Sequence, residues 1–181
     1  MKYSDTLYIP AEDSYLLAET AKKYYGKNAL EVGIGSGIVT QSLCGNFDLV
    51  VGTDLHLRSI KYAKYLVPRN TLMICCNMSD PLRSRFDLIV CNPPYLSNYS
   101  ADFRCDIATD GGPTAIEWSI YFLERSVSIL ENAGHILILF SSLYDISKLD
   151  LFLRLLQLKR RKISQRKIFY EVLQVFELSK E

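Results

Sequence analysis

The chain has 181 residues, a formal net charge of +1 and 49% hydrophobic residues, which suits one soluble globular domain over 1–181 with a sizeable core. The near-neutral charge argues against a protein that must by itself hold a long stretch of nucleic acid through phosphate contacts. No apolar run approaches the ~20 residues of a membrane span, and the start, Met1-Lys2-Tyr3-Ser4-Asp5, lacks the apolar core of a signal peptide, so the expected location is the cytoplasm, with the nucleus as a second possibility.

Helical and strand-like segments alternate along almost the whole chain, the pattern of an α/β domain with a mostly parallel sheet. Asp13 is expected to cap a first helix running to about Tyr25, with Leu16, Leu17, Thr20, Ala21 and Tyr24 on one face and Gly26 as its stop. A short apolar strand over 29–32 leads into Glu31-Val32-Gly33-Ile34-Gly35-Ser36-Gly37, and a helix follows to about Cys44. Glycines between strand and helix let backbone approach a ligand closely. The dinucleotide fingerprint G-x-G-x-x-G would need its third glycine where Ile38 stands, which weakens a nicotinamide reading. Glu31 is unsuited to a pyrophosphate and suited to an ammonium group.

A second strand over 49–53 ends at Asp54, followed by Leu55. This is the place where α/β nucleoside-binding domains put a carboxylate on the ribose hydroxyls, and a helix N-cap role is compatible with it. An amphipathic helix over 57–66 stops at Pro68, and a third strand covers 72–76. Asn77 and Met78 after it are candidates for adenine, by hydrogen bond and by contact with the ring. A fourth strand, 87–91, is β-branched and apolar, as in strands buried on both faces.

Asn92-Pro93-Pro94-Tyr95 follows, and the rest of the chain is organised around it. Two prolines cannot continue a strand, so the chain leaves the sheet stiffly, with the Asn92 side chain and the Pro93 carbonyl near each other. Those two oxygens can receive the two N–H donors of a planar NH2 group, with the Tyr95 ring stacked on it. An amide nitrogen is a weak nucleophile, so such acceptors must aim its lone pair at an electrophilic carbon. An irregular segment over 96–112 is long enough to be functional. Pro113 is expected at the first position of a helix with Ile116, Ile120, Leu123, Val127 and Leu130 on one face, closed by Asn132 and Gly134. A fifth strand over 136–140, a last helix marked by Leu149, Phe152, Leu153 and Leu156, and an edge or antiparallel strand over 170–178 complete the chain. The basic run over 159–167 could touch nucleic acid or an acidic surface, and it reads first as a solvated connection between that helix and strand. The five cysteines, Cys44, Cys75, Cys76, Cys91 and Cys105, show no C-x-x-C spacing and indicate neither a metal site nor a disulfide framework. His56 and His135 have no partner at motif spacing and are expected to be structural.

The glycine turn after Glu31, Asp54 and Asn92-Pro93-Pro94-Tyr95 together resemble the Rossmann-like class I methyltransferases that use S-adenosylmethionine and modify planar nitrogens. The resemblance implies a seven-stranded, mostly parallel sheet flanked by helices, with an antiparallel strand near the C-terminus. It also implies that Glu31, Gly33, Gly35 and Gly37 face the methionine part of the cofactor, Asp54 the ribose, and Asn77 and Met78 the adenine, with the methyl group pointing at Asn92, and that Leu55 and Asn92 are among the cofactor contacts. Tyr8-Ile9-Pro10-Ala11-Glu12-Asp13-Ser14 adds a narrower likeness, to the archaeal and eukaryotic HemK-type release-factor glutamine methyltransferases. In that family Ser14 would stand where a Thr contacts the cofactor carboxylate, and Asn77 where an Asp is common. The likeness implies a catalytic set of Asn92, Pro93, Pro94 and Tyr95 acting on the glutamine of the Gly-Gly-Gln loop of a class 1 termination factor. It implies as well a small zinc-binding activator subunit along the sheet edge at 72–76. An amino-methyltransferase acting on RNA or DNA, or a protein lysine methyltransferase, would use the same turn, whereas a non-catalytic scaffold would have lost Glu31, Asp54 or Asn92.

Overall fold

The computed structural model describes residues 8–68, 71–94, 116–143 and 146–181. Seven strands form one sheet in the order β3-β2-β1-β4-β5-β7-β6. The chain runs α1 (Glu12–Ala21), β1 (Gly26–Val32), α2 (Ile38–Leu43), β2 (Phe47–Asp54), α3 (Leu57–Ala63), β3 (Thr71–Cys75), β4 (Phe86–Cys91), α4 (Glu117–Ile129), β5 (Leu130–Ser141), α5 (Ser147–Leu155), β6 (Leu158–Ile168) and β7 (Glu171–Lys180). Strands β1 to β5 run parallel to one another, and β7 lies antiparallel to both β5 and β6. This is the expected Rossmann-like sheet, with its antiparallel element at the C-terminus.

Successive residues of the central strands fill two separate cores, which is why those strands read as continuous apolar runs rather than alternating ones. Leu30, Val32, Ile89, Cys91, Ile136, Ile138 and Phe140 meet Phe122, Leu123 and Ile129 of α4 and Leu149 and Leu153 of α5 on one face. On the other face Ala29, Leu88, Val90, Leu137 and Leu139 meet Leu16, Leu17 and Ala21 of α1 and Val39 and Leu43 of α2. From β1 the strand order proceeds outward to β2 and β3, then returns to β4 on the far side of β1 and continues outward to β5. The carboxyl ends of β1 and β4 therefore flank the point where the winding reverses, and open α/β sheets bind their ligands in the crevice outside such ends.

Several local expectations are corrected. Asp13 does not cap α1: the N-cap is Ala11, which makes no side-chain cap bond, and Asp13 lies inside the first turn. Gly26 opens β1 rather than closing the helix. Asn132 and Gly134 do not end α4, which stops at Ile129; they belong to β5, where Phe86 pairs with Leu130 but Leu88 already pairs with His135. The extra residues on β5 are absorbed in a bulge, a setting in which Asn and Gly are as much at home as in a helix stop. Pro113, proposed as the helix start, lies outside the described residues.

The basic run over 159–167 is an edge strand, not a connection, and this places β7 in the interior of the sheet. Its arginines are held by carboxylates: Arg160 by Asp150, Arg161 by Glu177, and Arg166 by Glu12 and Glu19. Charged side chains along an edge oppose pairing with another chain. The other edge, β3, has no such run: its residues are Thr71, Leu72, Met73, Ile74 and Cys75, with Leu72 53% exposed. No helix among the described residues is long and apolar enough to cross a membrane.

Candidate active site at the carboxyl ends of β1, β2 and β4

Strand register brings three of the sequence elements together. Val32 pairs with Thr53 on one side and with Cys91 on the other, so the glycine turn after Val32, the carboxylate of Asp54 and the side chain of Asn92 emerge from three adjacent strand ends. Neighbouring strands are ~4.8 Å apart, which confines the three to a single crevice.

The turn is built from backbone. Gly33, Gly35 and Gly37 have φ of 81°, 48° and 84°, values that residues with a Cβ adopt only under strain. The N–H groups of Gly33 and Ile34 both donate to the Thr53 carbonyl, at 2.9 and 2.8 Å, which ties the turn to the end of β2. A Cβ added at Gly33 would meet nothing within 4 Å. The space beside that backbone is open, so a ligand can approach it closely. Asp54 is nearly buried and holds the same turn from the other side: Oδ2 accepts from Gly35 N at 3.0 Å and Oδ1 from His56 N at 2.8 Å. A carboxylate has about four acceptor positions, which leaves each oxygen capacity for a hydroxyl donor.

Glu31 is placed differently from the expectation. Its carboxyl is buried, and Oε2 accepts from both the backbone N–H and the hydroxyl of Thr40, in the first turn of α2. In this structure Glu31 fastens the helix that follows the glycine turn. Burial pushes its carboxyl up to about 8; the bonds from Thr40 pull the other way, and the charge of Asp54 adds to the rise. A cationic ligand arriving in the crevice would favour the ionised form.

Leu55 is 56% exposed beside Asp54. Asn77 gives its Nδ2 to Asp80 at 3.1 Å and to the Tyr121 hydroxyl at 3.5 Å. Met78 is buried in the α4-side core with a positive φ of 48°. Of these three cofactor candidates, Leu55 presents an open apolar surface, Asn77 is already engaged, and Met78 packs inward. Ser14 is buried in α1, its hydroxyl 3.2 Å from Asp13 Oδ1.

Asn92 follows the last residue of β4, with Pro93 buried behind it. Its Nδ2 donates to Asp13 Oδ2 at 3.0 Å. Its Oδ1 is buried and, among the described residues, has no hydrogen-bond partner. A buried acceptor without a donor is unfavourable by about 1–3 kcal/mol, and such groups call for an explanation. An incoming N–H supplies one. Tyr95 lies outside the described residues. Asp13 is a site-facing residue that sequence reasoning missed: it stands inside the quoted Tyr8 to Ser14 stretch, but its residue type and place suggested only a cap.

His56 meets the site through its backbone N–H on Asp54, and His135 is far from it. His56 precedes α3, and His135 packs edge-on against Tyr24, near Glu177 at the opposite end of the sheet. The described cysteines are all free, and among the described residues no cluster of His, Cys, Asp or Glu could hold a metal ion.

Residues 11–169 match the methyltransferase small domain family, which is most of the chain. The chain belongs to that family. It is 31% identical over 150 residues to a candidate protein N5-glutamine methyltransferase of Methanocaldococcus jannaschii, covering 79% of this chain and 76% of the relative. A release factor glutamine methyltransferase of Bordetella pertussis is 33% identical over 105 residues, which is 51% of this chain and 38% of that protein. Among solved structures, the E. cuniculi Mtq2-Trm112 complex responsible for methylating the eRF1 termination factor aligns with a TM-score of 0.78 at 22% identity. The match covers 96% of this chain and 98% of that one, and at this identity it speaks for the fold. S-adenosylmethionine is the methyl donor, and the crevice fits it: an open glycine turn, a carboxylate with spare acceptor capacity and an exposed apolar residue lie side by side.

Proposed function

We propose that the chain methylates the side-chain nitrogen of the glutamine in the Gly-Gly-Gln motif of a class 1 translation termination factor, as the catalytic subunit of a heterodimer with a small zinc-binding activator. The observation that carries this reading is the Asn92 carboxamide, whose buried Oδ1 has no donor among the described residues and lies beside a glycine turn suited to the cofactor. The kinship to protein glutamine methyltransferases supports the protein substrate, and the fold of the Mtq2-Trm112 complex supports the heterodimer.

When bound, S-adenosylmethionine supplies an electrophilic methyl carbon; the protein's residues do the positioning. Gly33 and Gly35 offer close backbone approach, Asp54 receives the ribose hydroxyls, and Leu55 lies against the base. Asn92 Oδ1 and the Pro93 carbonyl receive the two N–H groups of the substrate carboxamide. That contact holds the nitrogen with its lone pair directed into the crevice, and it strengthens as the nitrogen gives up its conjugation and its N–H groups become more acidic. Two neutral acceptors suit a neutral planar amine better than an ammonium, which separates this reading from lysine methylation. The support that the basic run over 159–167 lends to the nucleic-acid alternative is reduced, because Arg160, Arg161 and Arg166 pair with carboxylates.

The activator fits the β3 edge. An apolar outer strand with Leu72 exposed is suited to strand addition from a partner. The test is single-turnover methyl transfer at saturating cofactor, with a Gly-Gly-Gln-containing termination factor, total tRNA and DNA offered in parallel and the labelled residue mapped. Asn92→Ala should slow transfer to the termination factor by ~100 to 1000-fold, or roughly 2.7–4 kcal/mol, the cost of one well-placed transition-state hydrogen bond. Equal rates would remove Asn92 from the chemistry; transfer to tRNA or DNA alone would move the protein to a different substrate class.

A further inference from the structure

Asp13 is 2% exposed, an unfavourable position for a carboxylate unless donors meet both its oxygens. They do: the Tyr8 hydroxyl reaches Oδ2 at 2.5 Å and Asn92 Nδ2 reaches it at 3.0 Å, while Ser14 N reaches Oδ1 at 2.5 Å and the Ser14 hydroxyl at 3.2 Å. Such a set is what an ionised, acceptor-only carboxylate requires. Asp13 is not the N-cap of α1, a place that Ala11 occupies; its Oδ1 serves the first-turn N–H of Ser14, the packing of the helix on the sheet rests on Leu16, Leu17 and Ala21, and Oδ2 is turned to Tyr8 and Asn92. The residue is carried by a helix 79 positions away in sequence to the side chain that ends β4.

We propose that Asp13 is a positioning residue for methyl transfer: its carboxylate turns the Asn92 carboxamide so that Oδ1, and not Nδ2, faces the incoming NH2 group. This rests on the reading of Asn92 given above. A carboxamide has nearly the same shape in both orientations, so packing alone cannot choose between them. The wrong orientation would set two N–H donors against the donors of the substrate. Only a neighbour that accepts and never donates makes the choice, and a carboxylate meets that condition where an amide or hydroxyl does not. The Tyr8 hydroxyl, on the same Oδ2, anchors the carboxylate in turn. The pair Asp13 and Asn92 thereby selects a neutral NH2 with a donor to spare.

The test is a double-mutant cycle in the full chain co-expressed with the activator subunit, reading single-turnover transfer to the termination factor and cofactor affinity. Asp13→Asn keeps the shape but can itself donate, so Asn92 can turn over. The rate should fall ~10 to 100-fold, the usual span for a supporting group of this kind, with cofactor affinity unchanged within about twofold. Added to Asn92→Ala, Asp13→Asn should cost nothing further, because there is no carboxamide left to orient. A wild-type rate for Asp13→Asn, or an undiminished further loss on the Asn92→Ala background, would overturn the proposal. Should Asn92→Ala itself run at the wild-type rate, the functional reading falls, and the Asn92 side-chain amide protons decide for Asp13. They should exchange slowly in the wild type and fast in Asp13→Asn, and equal exchange refutes the orientation.

Discussion

Glu31 ties the stability of this fold to pH in a direction opposite to most carboxylates. Its carboxyl is raised to about 8 in the folded protein by burial, while in the unfolded chain it titrates near the ordinary ~4.3. Between those values the folded state holds a proton that the unfolded state has released, so stability is fully present below the unfolded value and is lost as pH rises toward 8. The limiting slope for one group is ~1.4 kcal/mol per pH unit. Glu31→Gln keeps an oxygen to accept from Thr40 N–H and hydroxyl but does not titrate. The measurement is urea unfolding of both proteins at intervals from pH 5.5 to 8.5. The wild type should lose stability relative to Glu31→Gln across this range, by a few kcal/mol in total. The same linkage predicts that the cationic cofactor binds the wild type more tightly as pH rises from 6 to 8, by at most ~10-fold per pH unit, with no such trend in Glu31→Gln. A wild-type minus variant difference that is constant across the range would show that Glu31 is ionised in the fold and refute the reasoning.

Asp54→Ala should weaken S-adenosylmethionine binding by ~1.5–3 kcal/mol, the range for hydrogen bonds to a charged group; unchanged affinity by calorimetry would remove Asp54 from the cofactor site. Gly33→Ala meets no atom within 4 Å and is strained only by its φ of 81°, so it should cost about 1–2 kcal/mol of stability and a larger loss of cofactor affinity. A loss of stability well above that would mean a steric clash where the structure shows open space. A lysine at Leu72 should abolish co-purification with the activator while changing the stability of the isolated chain by less than about 0.5 kcal/mol. This site is preferable to Ile74, which packs against the core. Undiminished co-purification would place the activator elsewhere.

Much of the architecture was legible because its signals are local. Strands buried on both faces appear as short apolar runs, and Gly33, Gly35 and Asn92 mark strand ends by composition alone. What escaped reading depends on distant partners. Lys159, Arg160, Arg161 and Lys162 look like a solvated run until Asp150 and Glu177 are seen opposite the arginines. Asn132 and Gly134 signal a break in regular structure, but a bulge and a helix stop share that signal. Asp13 has the residue type and place of a cap, and its actual partner, Asn92, becomes a neighbour only after α1 packs on the sheet. Met78 behaves likewise: nothing near it in sequence says whether a loop methionine turns out toward a ligand or in toward Ile89 and Phe122.

The position of β7 has a consequence for how the protein is made. This strand is the last in the sequence, yet it fills an interior slot between β5 and β6 and sends Leu173 and Val175 into one core and Phe176 and Leu178 into the other. While the chain is being synthesised, β5 therefore has an open pairing edge over 136–141 until residues 171–180 have emerged. A ribosome that stalls or terminates inside β7 releases a chain with two unfinished cores and a detached β6, rather than a domain trimmed at its margin. Such a product is a target for aggregation or proteolysis, so chains cut short within β7 should not accumulate.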